Sequence, residues 1–247
     1  MPMAETIDLR TEYVDYADGD TVCEGYVAHD ASLAAPRPCV LVAHDWSGQG
    51  DAIRMVARRV ARLGWVAFAL DVYGKGIRGD LTGDNSHLMT PLLADRALLR
   101  RRLLAGLAAA QRHPAVDARR VAAIGYCFGG LCALDLARAV PEGLLGVVSF
   151  HGVFQPPALG AQPQITAKVL LLHGWEDPLA PPGEVLAIAR ELTDAKADWQ
   201  LHAYGHAMHA FTFEGAYFPE RGIAYDAAAA RRSWAAMRGF LDEVFAS

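Results

Sequence analysis

Polar and apolar residues alternate in two short stretches near the start of the chain, about Ile7–Val14 and Val22–Ala28. The turn-forming run Ala17-Asp18-Gly19-Asp20 lies between them, so the pattern predicts an antiparallel hairpin. Beyond residue 38 the pattern changes. Cys39–Ala43, Val66–Leu70, Val121–Tyr126, Leu144–Phe150 and Val169–His173 are short, nearly continuous apolar runs. Strands covered on both faces need that composition. Between the first two runs, Asp51–Leu63 sets Ile53, Val56, Ala57 and Val60 at helical spacing, with Gly64 as a stop. Thr90-Pro91 predicts a helix start, Thr as N-cap and Pro at the first position, running to about Arg112. Further helices are predicted at Phe128–Ala139 and about Glu184–Leu192, followed by a strand at about Trp199–Tyr204. The last helix, about Asp226–Phe245, carries Trp234, Met237, Leu241 and Phe245 on one face.

Strands that alternate with helices form right-handed βαβ units. The expected fold class is therefore α/β, a mostly parallel central sheet with helices on both faces and an N-terminal antiparallel hairpin. No repeat, charge block or long linker divides residues 1–247, and the loop Ala31–Pro38 is too short to separate domains. A single domain is expected. The chain is 53% hydrophobic, which excludes intrinsic disorder, and a chain of this length needs no disulfide or metal staple. The net charge of −5 comes without a basic stripe and argues against nucleic-acid binding. No apolar run is long enough to span a membrane, and Met1-Pro2-Met3-Ala4-Glu5 lacks the marks of a signal peptide. The four cysteines form no CxxC pair, so they read as reduced thiols of a cytoplasmic protein, monomeric or a small homo-oligomer.

In parallel sheets chemistry collects at the carboxyl ends of the strands. Val121–Tyr126 runs directly into Cys127-Phe128-Gly129-Gly130, giving Gly125-x-Cys127-x-Gly129-Gly130. This is the nucleophile-elbow pattern with Cys in place of Ser, on a turn so tight that larger side chains would collide. It sets the thiol at a helix N-terminus, whose partial positive charge favours a thiolate. A structural cysteine in a glycine-rich packing turn is the plain alternative. Such a thiol needs a base, and the base an orienting acid. Val169–His173 leads into Gly174-Trp175-Glu176-Asp177-Pro178, which offers Asp177, with Glu176 as its competitor. Trp199–Tyr204 leads into Gly205-His206-Ala207-Met208-His209-Ala210-Phe211. Both His206 and His209 are candidate bases, and the Gly-x-x-x-His-x-Phe framing favours His209. The chain order nucleophile, acid, histidine is that of α/β-hydrolases.

Cys39–Ala43 leads into His44-Asp45-Trp46-Ser47-Gly48. Backbone N–H groups of Trp46 and Phe128 are the candidate oxyanion hole. Asp45 would lie near Cys127, where a carboxylate opposes thiolate formation, unless it is a helix-side cap. His202, His206 and His209 also have a spacing that could hold a metal, but Gly205 interrupts the pattern and no His-Glu-x-x-His is present. His44, His151 and His173 each follow or end an apolar run, where structural hydrogen bonding is the expected role.

Together these motifs resemble the dienelactone hydrolase family: His44-Asp45-Trp46-Ser47-Gly48, Asp71-Val72-Tyr73-Gly74, the Cys127 elbow, His173–Pro178 and His209-Ala210-Phe211. The resemblance spans roughly residues 10–245. It implies an α/β-hydrolase with a Cys127-His209-Asp177 triad that opens small esters or lactones through an acyl-thioenzyme, without metal or cofactor. It also implies a carboxylate beside the resting thiol, the place Asp45 occupies. Members that cleave dienelactone hold the substrate carboxylate with two arginines. This sequence has Lys75 and Phe213 at those places, with Arg78 as a candidate replacement, so dienelactone itself is not the expected substrate. A thioesterase on the same triad, a metal-dependent hydrolase on the three histidines and a non-catalytic binding protein are the competing readings.

Overall fold

The computed structural model describes residues 7–80 and 82–246; the Met1–Glu5 stretch lies outside them. The hairpin forms from β1 (Leu9–Asp18) and β2 (Thr21–Asp30), paired antiparallel in register from Leu9↔Asp30 to Asp18↔Thr21. Six more strands complete one sheet: β3 (Arg37–Ala43), β4 (Val66–Ala69), β5 (Val116–Tyr126), β6 (Leu144–Phe150), β7 (Lys168–Gly174) and β8 (Trp199–Tyr204). The order is β1-β2-β4-β3-β5-β6-β7-β8, with every pair from β4 to β8 parallel and β2 antiparallel to β4.

The apolar runs divide their side chains between two cores. Leu41, Phe68, Val121, Ala123, Val147 and Leu171 point to a layer built by α3 (Arg96–Gln111), α4 (Phe128–Ala139) and α5 (Pro182–Asp194). Val40, Val42, Ala122, Ile124, Val148 and Leu170 point to the layer of α1 (Asp51–Ala61) and α6 (Ala227–Ala246). Burial on both faces is why these strands read as continuous apolar runs. On α6, Met237, Leu241 and Phe245 are buried as predicted, while Trp234 is half-buried with the Arg59 guanidinium 3.9 Å from its ring centroid. This is the α/β-hydrolase architecture, and among the described residues no helix is long and apolar enough to cross a membrane.

One predicted helix divides. Thr90 does not cap a helix: α2 (Ser86–Ala94) begins four residues earlier and carries Pro91 inside it. The break falls at Asp95, whose carboxylate accepts from Leu98 N at 2.9 Å and so caps α3. Asp95 supplies the stronger start signal because its side chain satisfies a first-turn N–H directly. A small antiparallel pair, β9 (Tyr217–Phe218) with β10 (Ile223–Ala224), was not predicted; strands of two residues carry no readable alternation.

Candidate active site

Cys127 follows β5 and precedes α4, with φ 55° and ψ −115°, a backbone conformation costly for any residue with a side chain. Its surroundings enforce that conformation. A Cβ on Gly125 would collide with the Gly129 carbonyl, and one on Gly129 with the carbonyls of Ala43 and His44. Bare glycines therefore let the elbow press against the end of β3. That contact brings the turn after β3, with Trp46, to the start of α4. Neither Trp46 N–H nor Phe128 N–H has an acceptor among the described residues, so both donors are unspent. Cys127 is half-buried, whereas Cys23, Cys39 and Cys132 are buried. Burial pushes the Cys23 thiol up to about 11 and raises Cys39 and Cys132 well above the usual thiol range, which makes all three inert.

Asp177 lies just beyond β7, and its Oδ2 accepts from His209 Nδ1 at 2.7 Å; both residues are buried. A carboxylate can only accept, so Nδ1 carries the proton and Nε2 is left as the free base position. Nε2 is buried without a hydrogen-bond partner among the described residues. Burial lowers the basicity of the His209 ring, but Cys127 and Asp177 outweigh it and raise His209 to about 10. Asp177 Oδ1 accepts from Leu179 N at 2.8 Å, which holds the carboxylate in place.

The competing residues form a second pair. His206 Nδ1 and Glu176 Oε1 are 2.8 Å apart, but the His206 side chain is 93% exposed, on the outside of the same two loops. His202 lies on β8. The three histidines thus go to different partners, and among the described residues no group of three His, Cys, Asp or Glu is arranged to hold a metal. His44 has the expected structural role, bonding Asp45 O at 2.6 Å and Val72 N at 3.3 Å. His173 departs from it: both ring nitrogens are buried without partners among the described residues.

The residues expected to meet the substrate are placed unevenly. Asp45 Oδ1 accepts from Ser47 N at 2.7 Å and Ser47 Oγ at 2.6 Å, so its described bonds fasten the Trp46 turn rather than reach the thiol. Tyr73 stacks on Phe128, ring centroids 6.1 Å apart, and its hydroxyl donates to Trp46 O at 3.0 Å. Lys75 Nζ is held by Asp15 at 2.5 Å, out on the N-terminal hairpin. Arg78 donates to the carbonyls of Gln49, Gly74 and Ile77 and to the side chains of Glu24 and Gln49, leaving no idle face for a substrate carboxylate. Phe213 is half-buried in the turn after His209. A cavity of about 400 Å³ lined by Arg138, Phe154 and Ile188 lies elsewhere, and none of Cys127, Asp177 or His209 borders it.

Sequence reasoning missed what holds His209. Its N–H donates to Gly222 O at 2.9 Å, its carbonyl accepts from Ala224 N at 3.1 Å, and it bridges Ile223. One arm of the β9–β10 hairpin, residues 222–224, therefore holds both the N–H and the carbonyl of His209. Gly222 (φ 69°) also packs on Pro178, the residue after Asp177. The only sequence signal for this support was Gly222 itself, after a Pro219-Glu220-Arg221 turn.

The chain is similar to proteins of known structure. A promiscuous phosphotriesterase from metagenomic libraries, called dienelactone hydrolase-like P91, is 39% identical, with a TM-score of 0.90 over 96% of this chain and 99% of that one. The structure named m3DLH is 37% identical, with a TM-score of 0.88 over 96% and 99% of the two chains. A dienelactone hydrolase from Anabaena variabilis shares the fold at 22% identity, TM-score 0.67, over 95% and 98%. Residues 23–245, from the second strand to the end of the last helix, match the model of the dienelactone hydrolase family, and the chain belongs to that family of hydrolases acting on carboxylic ester bonds.

Proposed function

We propose that this chain opens small carboxylic esters or lactones through an acyl-thioenzyme on Cys127. His209 Nε2 takes the thiol proton before attack, in keeping with its raised pKa, and Sγ then attacks the carbonyl carbon. The oxyanion that forms accepts from Trp46 N–H and Phe128 N–H. When the C–O bond breaks, the His209 imidazolium returns its proton to the leaving alkoxide. A water deprotonated by His209 then attacks the thioester, releasing the carboxylic acid and restoring the thiol. Asp177 stays ionised, keeping the proton on Nδ1 and stabilising the imidazolium. The observation that carries this reading is the strained Cys127 at the start of α4 beside a buried His209–Asp177 pair whose Nε2 has no other partner.

Neutral substrates are the preferred class. Lys75 and Arg78 are committed to protein acceptors, and Phe213 offers no charge. The test is a panel of p-nitrophenyl esters, lactones and thioesters with intact-mass detection of an acyl adduct. Adduct and turnover are expected for the native chain and neither for Cys127→Ala. Full ester turnover by Cys127→Ala would overturn the thiol mechanism, and thioesters outrunning oxoesters would make the chain a thioesterase. A second reading rests on the 39% identity to a promiscuous phosphotriesterase. The thiolate would attack phosphorus in place of carbon, forming a P–S bond and expelling an aryloxide, and water would then cleave that bond. Paraoxon belongs in the same panel.

A further inference from the structure

His151 is the first residue beyond β6, between the strand that carries Cys127 and the strands that carry Asp177 and His209. It is 3% exposed and adopts φ 37°, left-handed backbone in a residue that is not glycine. Its N–H donates to Leu172 O at 2.8 Å, which ties it to β7. The ring lies T-shaped to that of His209, centroids 5.2 Å apart at 69°, and T-shaped to Phe211 at 5.1 Å. A hydrogen bond of 2.8 Å joins His151 Nε2 to Thr212 Oγ1. His209, Phe211 and Thr212 belong to one short loop, which turns at Ala210 with φ 57°. Left-handed backbone at His151 and at Ala210, the residue after His209, needs outside support to persist.

We propose that His151 is a positioning residue for His209. Its imidazole packs against the His209 ring and, through Thr212, pins the loop that carries it. The Asp177 bond fixes one nitrogen of His209 but leaves the ring able to swing about that bond. His151 closes the side to which it would swing, so Nε2 stays on Cys127. The other titratable group within ring contact of His151 is Tyr126, at 6.0 Å. Burial holds His151 well below the usual histidine range, and an approaching His209 imidazolium adds to that. It therefore stays neutral and places no second cation beside the base. This inference rests on the Cys127–His209 reading above.

The test uses four variants with p-nitrophenyl acetate: His151→Asn, Thr212→Val, Thr212→Ser and, as reference, Cys127→Ala. Asn tolerates the left-handed backbone, so His151→Asn removes the ring without adding strain. Misplacing a catalytic group by about 1 Å costs up to about a hundredfold, so kcat is expected to fall about ten- to a hundredfold in His151→Asn. KM should stay within about twofold, since the binding surface is untouched. Thr212→Val is expected to lose about tenfold in kcat, and Thr212→Ser, which keeps the hydroxyl, to regain it. The downfield proton resonance of His209 Nδ1–H should broaden in His151→Asn and Thr212→Val but not in Thr212→Ser. Native kcat in both His151→Asn and Thr212→Val overturns the proposal, as does an equal loss in Thr212→Ser. Should His151→Asn fail to fold, the Thr212 pair decides alone. Turnover surviving in Cys127→Ala would instead strike the thiol reading, whatever His151 does.

Discussion

Gly222→Ala adds one methyl group far from any reacting atom, yet it should disable the enzyme. Gly222 has φ 69°, and a Cβ there would stand 2.5 Å from Cγ and Cδ of Pro178. Left-handed backbone costs an alanine about 1–2 kcal/mol. Forcing a methyl into a filled space costs about 1–3 kcal/mol more. The chain can meet a total of about 2–5 kcal/mol in two ways. It can keep the hairpin seated and lose stability, which for a domain of this size is a fall in Tm of about 4 °C or more. Or it can lift the hairpin off Pro178, releasing the Gly222 and Ala224 bonds that grip His209 and moving Asp177 away from its 2.7 Å contact. The second route is cheaper, because the hairpin has only two residue pairs and exposed side chains at Tyr217 and Phe218. The expected result is a kcat reduced at least about tenfold with KM nearly unchanged, since a small displacement of a catalytic group carries that penalty. Gly239→Ala is the control. It lies within α6 with nothing inside 4 Å of its new Cβ, so the same change should raise stability by about 0.5–1 kcal/mol. The assay is p-nitrophenyl acetate hydrolysis alongside thermal melts of both variants. Parent values of kcat and Tm in Gly222→Ala would refute both the strain argument and the support role of the hairpin.

Three further outcomes are expected. His209→Ala and Asp177→Asn should each cut kcat by orders of magnitude and be far from additive together, whereas His206→Ala, which loses only an exposed pair with Glu176, should be mild; a larger loss at His206 would reverse the assignment. His44, His151 and His173 are buried with their pKa values lowered, so unfolding lets them take protons below the free-histidine value of about 6.5. His209, raised instead, is protonated in both states there and adds no slope. Stability should therefore fall on acidification from pH 6.5, by about 1.4 kcal/mol per pH unit for each histidine that stays neutral, and a flat Tm from pH 6.5 to 5 would contradict this. A neutral methyl ester should be preferred about ten- to a hundredfold over its free-acid analogue in kcat/KM, and Phe213→Arg should narrow the gap; a tenfold preference for the acid would reveal a carboxylate clamp in some other residue.

The legible parts of this molecule are those whose signal is local or periodic. Residues 39–43 and 144–150 read as strands because burial on both faces leaves only the small, buried Ser149 to interrupt them. The Cys127 elbow was readable because its glycines answer a local collision, between Gly125 and Gly129 or between Gly129 and the end of β3. Asp95 was overlooked in favour of Thr90-Pro91 because proline punctuates so strongly, although helix α2 accommodates it. The roles of Lys75 and Arg78 were not readable at all. Whether a cation faces a substrate or the protein's own carboxylates depends on Asp15 and Glu24, which arrive from the N-terminal hairpin 60 and 54 residues earlier in the chain.

The same distinction explains where the strain lies. Seven described residues other than glycine adopt left-handed backbone; Val140, Ala158 and Lys196 lie in connecting segments, while Cys127, His151, His206 and Ala210 stand at the carboxyl ends of β5, β6 and β8 or in the loop that follows. A sheet edge that only needed to end could have used glycine at each. On the proposed mechanism, side chains are kept at Cys127 and His151 because a thiol and an imidazole must project from positions the strands alone cannot supply. Each such residue costs about 1–3 kcal/mol and persists only where its surroundings over-determine it. Here those surroundings are the β3 carbonyls pressed on Gly129, the Leu172 carbonyl holding His151, and the β9–β10 hairpin holding His209. Every one is a tertiary contact between segments far apart in sequence. The identity of the proposed reacting groups is therefore written locally, while their alignment is written in contacts that only folding assembles. Variants at Gly222, His151 and Thr212 should accordingly change kcat while leaving every motif residue in place.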